Sequence, residues 1–298
     1  MTAIIFILIT SLLTTGLINR TKSIASGRKG PGIFQPLKNI YVLLRKGIIY
    51  SNVSGSVSRF APVVVLGSVL TASLMVPVPG FEPLISFNGD FILFAYLFAL
   101  GRFMMIISAF DSGSSFEGMG ASREALYGML IEPALFIMIS ALVVLTGNLS
   151  VATLFNLPGG AGFVYGLIIS YIIGNITLVE NSRVPVDDPK THLELTMIHE
   201  VMVLDTSGFN LALIQVSSFV KFAIFGSLIA SIIIPWSLPG ITRIVLYFVV
   251  QVSFAVVIGL VESFRARFRM SRNQQFILTS AIIAVLFFMV ILFTKNIF

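Results

Sequence analysis

Ionisable side chains in apolar surroundings are the part of this sequence that could do chemistry. Thirteen residues are Asp or Glu, and they are unevenly placed. The densest run is residues 180–205, ENSRVPVDDPKTHLELTMIHEVMVLD, which holds Glu180, Asp187, Asp188, Glu194, Glu200 and Asp205. Other charges fall inside long apolar stretches or at their ends: Arg102, Glu132 beside Pro133, and Lys221. A charge at the centre of a bilayer costs about 2.5–3.5 kcal/mol on insertion scales, so such groups face a protein interior and are paired or hydrated. Two uses remain open. The charges are structural ion pairs, or they line a polar path along which protons move, with affinities tuned by burial and by neighbouring charge. Arg102 is placed to snorkel toward the nearer membrane face, and the partner of Lys221 is not legible.

Other chemistries are disfavoured. The chain has no cysteine, so this subunit holds no disulfide, thiolate-ligated iron–sulfur cluster or thiol nucleophile. His192 and His199 are seven residues apart, about 10 Å along a helix, too far to share one zinc ion. The glycines of SGRKGPG match neither a Walker loop nor a dinucleotide-binding turn. No catalytic, cofactor-binding or metal-ligating residue is therefore assigned.

The elements that must position these charges are membrane helices. The chain is 56% hydrophobic and 11% charged, too few charges for a soluble domain's surface. Eight continuous apolar stretches read as transmembrane helices: 2–18, 60–78, 91–109, 130–147, 162–179, 209–234, 241–261 and 276–294. The expectation is one all-α polytopic membrane domain over residues 1–298, with polar loops at about 19–59, 110–129, 180–208 and 262–275. The first stretch has no preceding basic residue and reads as a retained helix, not a signal peptide. Fifteen of the nineteen Lys and Arg fall in those four loops, which the positive-inside rule places in the cytoplasm, with both termini outside. Asp188 followed by Pro189 is a helix-start signal. Leu193, Met197, Val201 and Leu204 then recur at helical spacing, predicting an amphipathic helix on the cytoplasmic side. Residues 37–48 predict a second interfacial segment, with Lys38, Arg45 and Lys46 turned to headgroups or a partner.

Four motifs carry a resemblance: RKGPGIFQPLKNIYVLLRKG, GSSFEGMGASREALYGMLIEPAL, ENSRVPVDDPKTHLELTMIHEVMVLD and ESFRARFRMSRNQQFI. In this order, over nearly the whole chain, they resemble the membrane subunit shared by respiratory complex I, where it is subunit 1, and the energy-converting [NiFe] hydrogenases, including formate hydrogenlyase. The quinone-reducing branch usually reads E-x-x-R-x-P-F-D-x-P-E-A-E-S-E-L in the third motif. This chain keeps Glu180, Arg183, Pro185, Asp187 and Pro189, then departs in a way similar to the hydrogenase branch. The resemblance implies a membrane anchor that couples electron transfer in a peripheral arm to H+ or Na+ translocation in a prokaryotic inner membrane. It maps the family's coupling carboxylates onto Glu124, Glu132, Glu180, Asp187, Asp188, Glu194, Glu200 and Asp205, with Arg102 and Lys221 as their cations. It implies docking of the arm on Arg28, Lys38, Arg45, Arg123, Arg183, Arg265, Arg267 and Arg269. The implied partners are peripheral hydrogenase-like and iron–sulfur subunits, antiporter-like membrane subunits and the bilayer, and not nucleic acid. The [NiFe] and iron–sulfur centres are expected in those partners, with no cofactor here. A quinone-binding subunit of complex I is the alternative. A free-standing transporter, which would show inverted repeats, ranks below both.

Overall fold

The computed structural model describes residues 2–51, 53–157, 162–187, 197–268 and 270–296. Among them the chain forms eleven helices: α1 (Thr2–Ala25), α2 (Gln35–Arg45), α3 (Val57–Ser73), α4 (Asp90–Asp111), α5 (Ser115–Thr146), α6 (Val151–Leu154), α7 (Gly162–Glu180), α8 (His199–Met202), α9 (Gly208–Ile233), α10 (Gly240–Phe264) and α11 (Met270–Asn296). Seven of these are long and apolar enough to cross a membrane: α1, α4, α5, α7, α9, α10 and most of α11. The chain is a multi-pass, all-helical membrane protein.

The stretch expected at 60–78 differs. Its helix, α3, has 17 residues, about 25 Å at 1.5 Å per residue, short of a hydrocarbon core of about 30 Å. Pro77 and Pro79 explain the early stop, because a residue before proline is pushed out of helical geometry. The backbone instead turns and closes a bridge between Val78 and Phe81. The helix α3 still carries the chain back alongside α4: Ser58 at its start donates its backbone N–H to Asp111 at the end of α4, at 2.9 Å.

The central helix is α9, which packs against α1, α2, α3, α7 and α10. It is apolar over most of its surface, as a helix surrounded by others must be, with Asn210, Gln215, Ser218 and Lys221 among the exceptions. Two of its neighbours, α1 and α10, run parallel. Phe6 and Tyr247 approach near one end, with ring centroids 6.2 Å apart, and Lys22 and Glu262 pair at the other, at 3.5 Å. Gly259 permits this approach: a Cβ there would lie 3.0 Å from the Ile18 carbonyl and 2.8 Å from Thr21 Cβ. Helices α5 and α11 are also parallel. Asn273 Nδ2 donates to Tyr127 Oη at one end, at 3.2 Å, and Lys295 reaches the Val144 carbonyl at the other.

Helix α5 has 32 residues, about 48 Å, more than a bilayer core requires. Its surplus carries Glu117, Arg123 and Glu124 at the same end as the start of α9, the end of α10 and the segment after α7. Call this the charged end. The interfacial segment expected at 37–48 is α2, at residues 35–45. It turns Ile40 against Ala212 and Phe219 of α9 and leaves Lys38 and Arg45 exposed. Most of the amphipathic helix expected after Asp188, including Glu194, lies outside the described residues. What is described of it is the single turn α8, with Leu204 exposed beyond.

Candidate functional site

Four helices bring five charges together inside the bundle. Arg102 comes from α4, Glu124 and Glu132 from α5, Glu180 from the last residue of α7, and Lys221 from α9. The three nitrogens of the Arg102 guanidinium face three different carboxylates. Nη1 lies 2.6 Å from Glu132 Oε1, Nε lies 3.6 Å from Glu124 Oε1, and Nη2 bonds Glu180 Oε1. The second oxygen of Glu180 lies 3.4 Å from Lys221 Nζ, whose ammonium also sits 5.9 Å from the Phe98 ring centroid. The planar five-donor fork of arginine suits this shared pairing, where lysine's point charge would not. Gly128 makes room for it, since a Cβ there would meet Nη1 at 2.6 Å.

Arg102 is 6% exposed and does not snorkel. It stands nine residues before the end of α4, about 13.5 Å, and the carboxylates reach it there. The side chains of Glu124, Glu180 and Lys221 are also buried, whereas that of Glu132 is 40% exposed. It opens onto an apolar groove between α4 and α5, lined by Tyr96, Phe103 and Met129.

Charge counting gives the chemistry. Three carboxylates face two cations, so the fully ionised cluster carries one excess negative charge. A net charge held away from water is costly, and one proton removes it. One proton taken up by any of the three carboxylates would balance the cluster's charge.

At the charged end, a polar cavity of about 470 Å3 leads toward this cluster. Its lining includes Asn19, Gln35, Asn181, Arg183, His199 and Ser218. Asn181 follows Glu180 directly, and its Oδ1 accepts from Ser218 Oγ at 3.1 Å. The cavity wall thus begins one residue from the cluster.

His199 is partly buried in that wall. Burial pushes its imidazole down to about 4, and the charges of Lys221 and Arg183 add to the effect. The folded chain therefore refuses a proton that the unfolded chain accepts below its ordinary value of 6.5. Stability falls as pH drops from 6.5 toward 4. In His199→Gln that contribution is gone, so the variant's melting temperature should gain on the parent's between pH 7 and pH 5. Parallel curves would mean that the ring is solvated.

The remaining expected residues separate. Asp187 is fully buried and organises α8: its Oδ2 accepts the backbone N–H of Ile198 at 2.9 Å and of His199 at 3.1 Å. Its Oδ1 lies 2.9 Å from Arg267. Arg183 is buried as well, 3.4 Å from Glu262 and over the Phe222 ring. Arg183 and Arg267 therefore serve internal pairs. Arg123 is partly buried and donates to the Met197 carbonyl at 3.0 Å. Arg28, Lys38, Arg45 and Arg265 are exposed. Glu200 lines the cavity, and Asp205 is exposed near Glu117, away from the Arg102 cluster. Asp188, Glu194 and Arg269 lie outside the described residues, as does His192. No group of three His, Cys, Asp or Glu arranged to hold a metal occurs among the described residues.

Two polar features escape a hydropathy reading. Glu117 is buried at the start of α5, ahead of the apolar stretch that announces that helix. Gln251, deep in α10, donates to Ser227 at 3.0 Å and to Tyr247 at 3.1 Å. A lone amide in an apolar run was its only signal.

The comparisons agree with this architecture. The family model described as NADH dehydrogenase matches residues 1–293. Hydrogenase-4 component C of Escherichia coli K12 is 29% identical over 236 residues, covering 78% of this chain and 74% of that protein. Formate hydrogenlyase subunit 4 of the same organism is 28% identical over 269 residues, covering 87% and 86%. Among solved structures, a chain of the membrane-bound sulfane sulfur reductase, an archaeal respiratory membrane complex, superposes with a TM-score of 0.82 at 19% identity over 97% of this chain and 96% of that one. That last likeness concerns the fold.

Proposed function

We propose, from the premise that this chain belongs to the NADH dehydrogenase family, that it is the membrane anchor and ion-coupling subunit of a hydrogenase-type respiratory complex. The observation that carries the reading is the cluster of Arg102, Lys221 and three glutamates, one negative charge in excess, with Asn181, the residue after Glu180, in the wall of a nearby cavity. A redox event in a peripheral arm at the charged end changes the local potential. The cluster responds by taking up or releasing its one proton, and charge is passed toward neighbouring membrane subunits. The likeness to hydrogenase-4 component C and formate hydrogenlyase subunit 4 supports a hydrogenase-type arm. In this reading the charged end faces the cytoplasm, by the positive-inside rule, and both termini lie outside. The nickel–iron and iron–sulfur centres sit in partner subunits, because this chain offers no thiolate.

Affinity purification of the tagged chain from native membranes tests the branch. The expected result is co-purification of a nickel-containing subunit and hydrogen evolution with a low-potential donor. A complex lacking nickel and reducing quinone would overturn it. The cavity itself keeps that second reading in view, since about 470 Å3 is within the size range of small-molecule sites. Labelling of α1, α2 or α9 by a photoreactive quinone would favour it.

A further inference from the structure

A second, smaller pocket lies at the charged end, apart from the Arg102 cluster. It holds about 30 Å3 between the segment before α3, the start of α5 and the turn into α9, room for one or two waters or a small cation. Glu117 stands seven residues before Glu124 on α5, about 10 Å along the axis.

At three of the pocket's hydroxyls the proton is already committed to a backbone carbonyl. A hydroxyl carries one proton and two lone pairs. Ser54 Oγ gives its proton to the Ser51 carbonyl at 2.8 Å. Ser58 Oγ gives its own to the Gly55 carbonyl at 3.1 Å, and Ser112 Oγ to the Ala109 carbonyl at 2.8 Å. What these side chains offer the pocket is oxygen lone pairs. One of the two Asn210 amide protons is directed to Tyr50 Oη, at 3.4 Å.

The carboxylate completes the set. Glu117 is 1% exposed. Its Oε1 accepts the backbone N–H of Asp205 at 2.8 Å, and its Oε2 is buried against the pocket with no hydrogen-bond partner. Among the described residues no Lys or Arg pairs with it. Arg59, beside Ser58, lies over the Tyr50 ring, 4.9 Å from its centroid. Asp111 is engaged with the Ser58 backbone N–H at 2.9 Å, and Asp205 stands exposed at the mouth. A buried carboxylate oxygen with no hydrogen-bond partner is relieved by a proton or by a cation.

We infer that this pocket binds one monovalent metal cation of the size of Na+, held by Glu117 Oε2 and the hydroxyl oxygens of Ser54, Ser58 and Ser112. One buried carboxylate balances one positive charge. A divalent ion would demand more carboxylates or a retained water shell, for which the pocket has no space. Hard oxygen ligands of mixed carboxylate and neutral type suit such an ion. The site stands on its own residues and holds whichever arm the complex carries.

The test is equilibrium binding of 22Na+ to the full-length chain in nanodiscs, with choline holding ionic strength constant. Saturable binding of one ion per chain is expected. Glu117→Gln, which keeps shape and removes charge, should weaken it by about tenfold or more. Ser58→Ala keeps the carboxylate and should weaken it by roughly two- to fivefold. This second variant keeps the test open should Glu117→Gln fail to fold. Absence of saturable binding in the parent chain overturns the proposal. So does a folded Glu117→Gln chain, or failing that Ser58→Ala, that binds as the parent does.

Discussion

Glu180→Gln should leave the chain folded and assembled while cutting ion translocation per electron pair by about tenfold or more, the cost of removing one ionisable group from the transfer route. The charge count is the reason. Glu180 is the carboxylate that touches both cations, through Arg102 Nη2 and Lys221 Nζ. With an amide there, two carboxylates face two cations. The cluster is balanced and has no excess charge for a proton to relieve. Electron transfer in the peripheral arm would continue, so turnover and translocation should separate. Measuring proton or sodium uptake into inverted vesicles against hydrogen produced shows that separation. Full translocation in a Glu180→Gln complex would remove the cluster from the mechanism.

Arg102→Met should be the more damaging change to the protein itself. It leaves Glu124 and Glu132 without the guanidinium they share, in a site from which water is largely withdrawn. Removing one partner from a buried ionic group costs about 3–5 kcal/mol. The expected outcome is a large drop in melting temperature and in the yield of assembled complex. Arg102→Lys should recover charge but little of the function, because one ammonium cannot bridge three carboxylates on two helices. The double variant Arg102→Met with Glu180→Gln should be less unstable than Arg102→Met alone, since it has one carboxylate fewer to neutralise. If Arg102→Met melted with the parent chain, the five residues would not be acting as a unit.

Glu124 entered through the family resemblance, and the other four groups of this cluster, Arg102, Glu132, Glu180 and Lys221, were visible in the sequence as charges in or at the ends of apolar stretches. Their partnership was not. Arg102 and Glu180 are 78 residues apart, and nothing local links them, which is why Arg102 read as a snorkelling side chain. Helix α5 shows a related limit. Its apolar stretch begins near residue 130, yet the helix starts at Ser115. Hydropathy marks the part of a helix that lipid must cover, and in the fifteen preceding residues Ser115, Glu117, Ser122, Arg123 and Glu124 interrupt the apolar run. Glu117 was passed over for that reason. The second stretch, at 60–78, fared similarly: an apolar composition promised a full-length helix, and two prolines ended it early. Where helix and loop were set by burial against lipid, the sequence was legible. Where they were set by contact between distant helices, it was not.

The parallel pairing of α1 with α10 has a consequence for biogenesis. A chain made from its N-terminus delivers α1 first, but the helices that cover it, α9 and α10, arrive some two hundred residues later. Until then the face bearing Thr10, Ser11 and Thr14 has no protein beside it. Its hydroxyls are provided for in the meantime: Thr10 bonds the Phe6 and Ile7 carbonyls, Ser11 bonds Leu8 and Thr14 bonds Ser11, so each can rest against lipid without a bare donor. Only the late helices supply the cross-links, when Tyr247 comes within 3.4 Å of Thr10. The first helix is thus a patient one, built to wait in the membrane for the last third of its own chain.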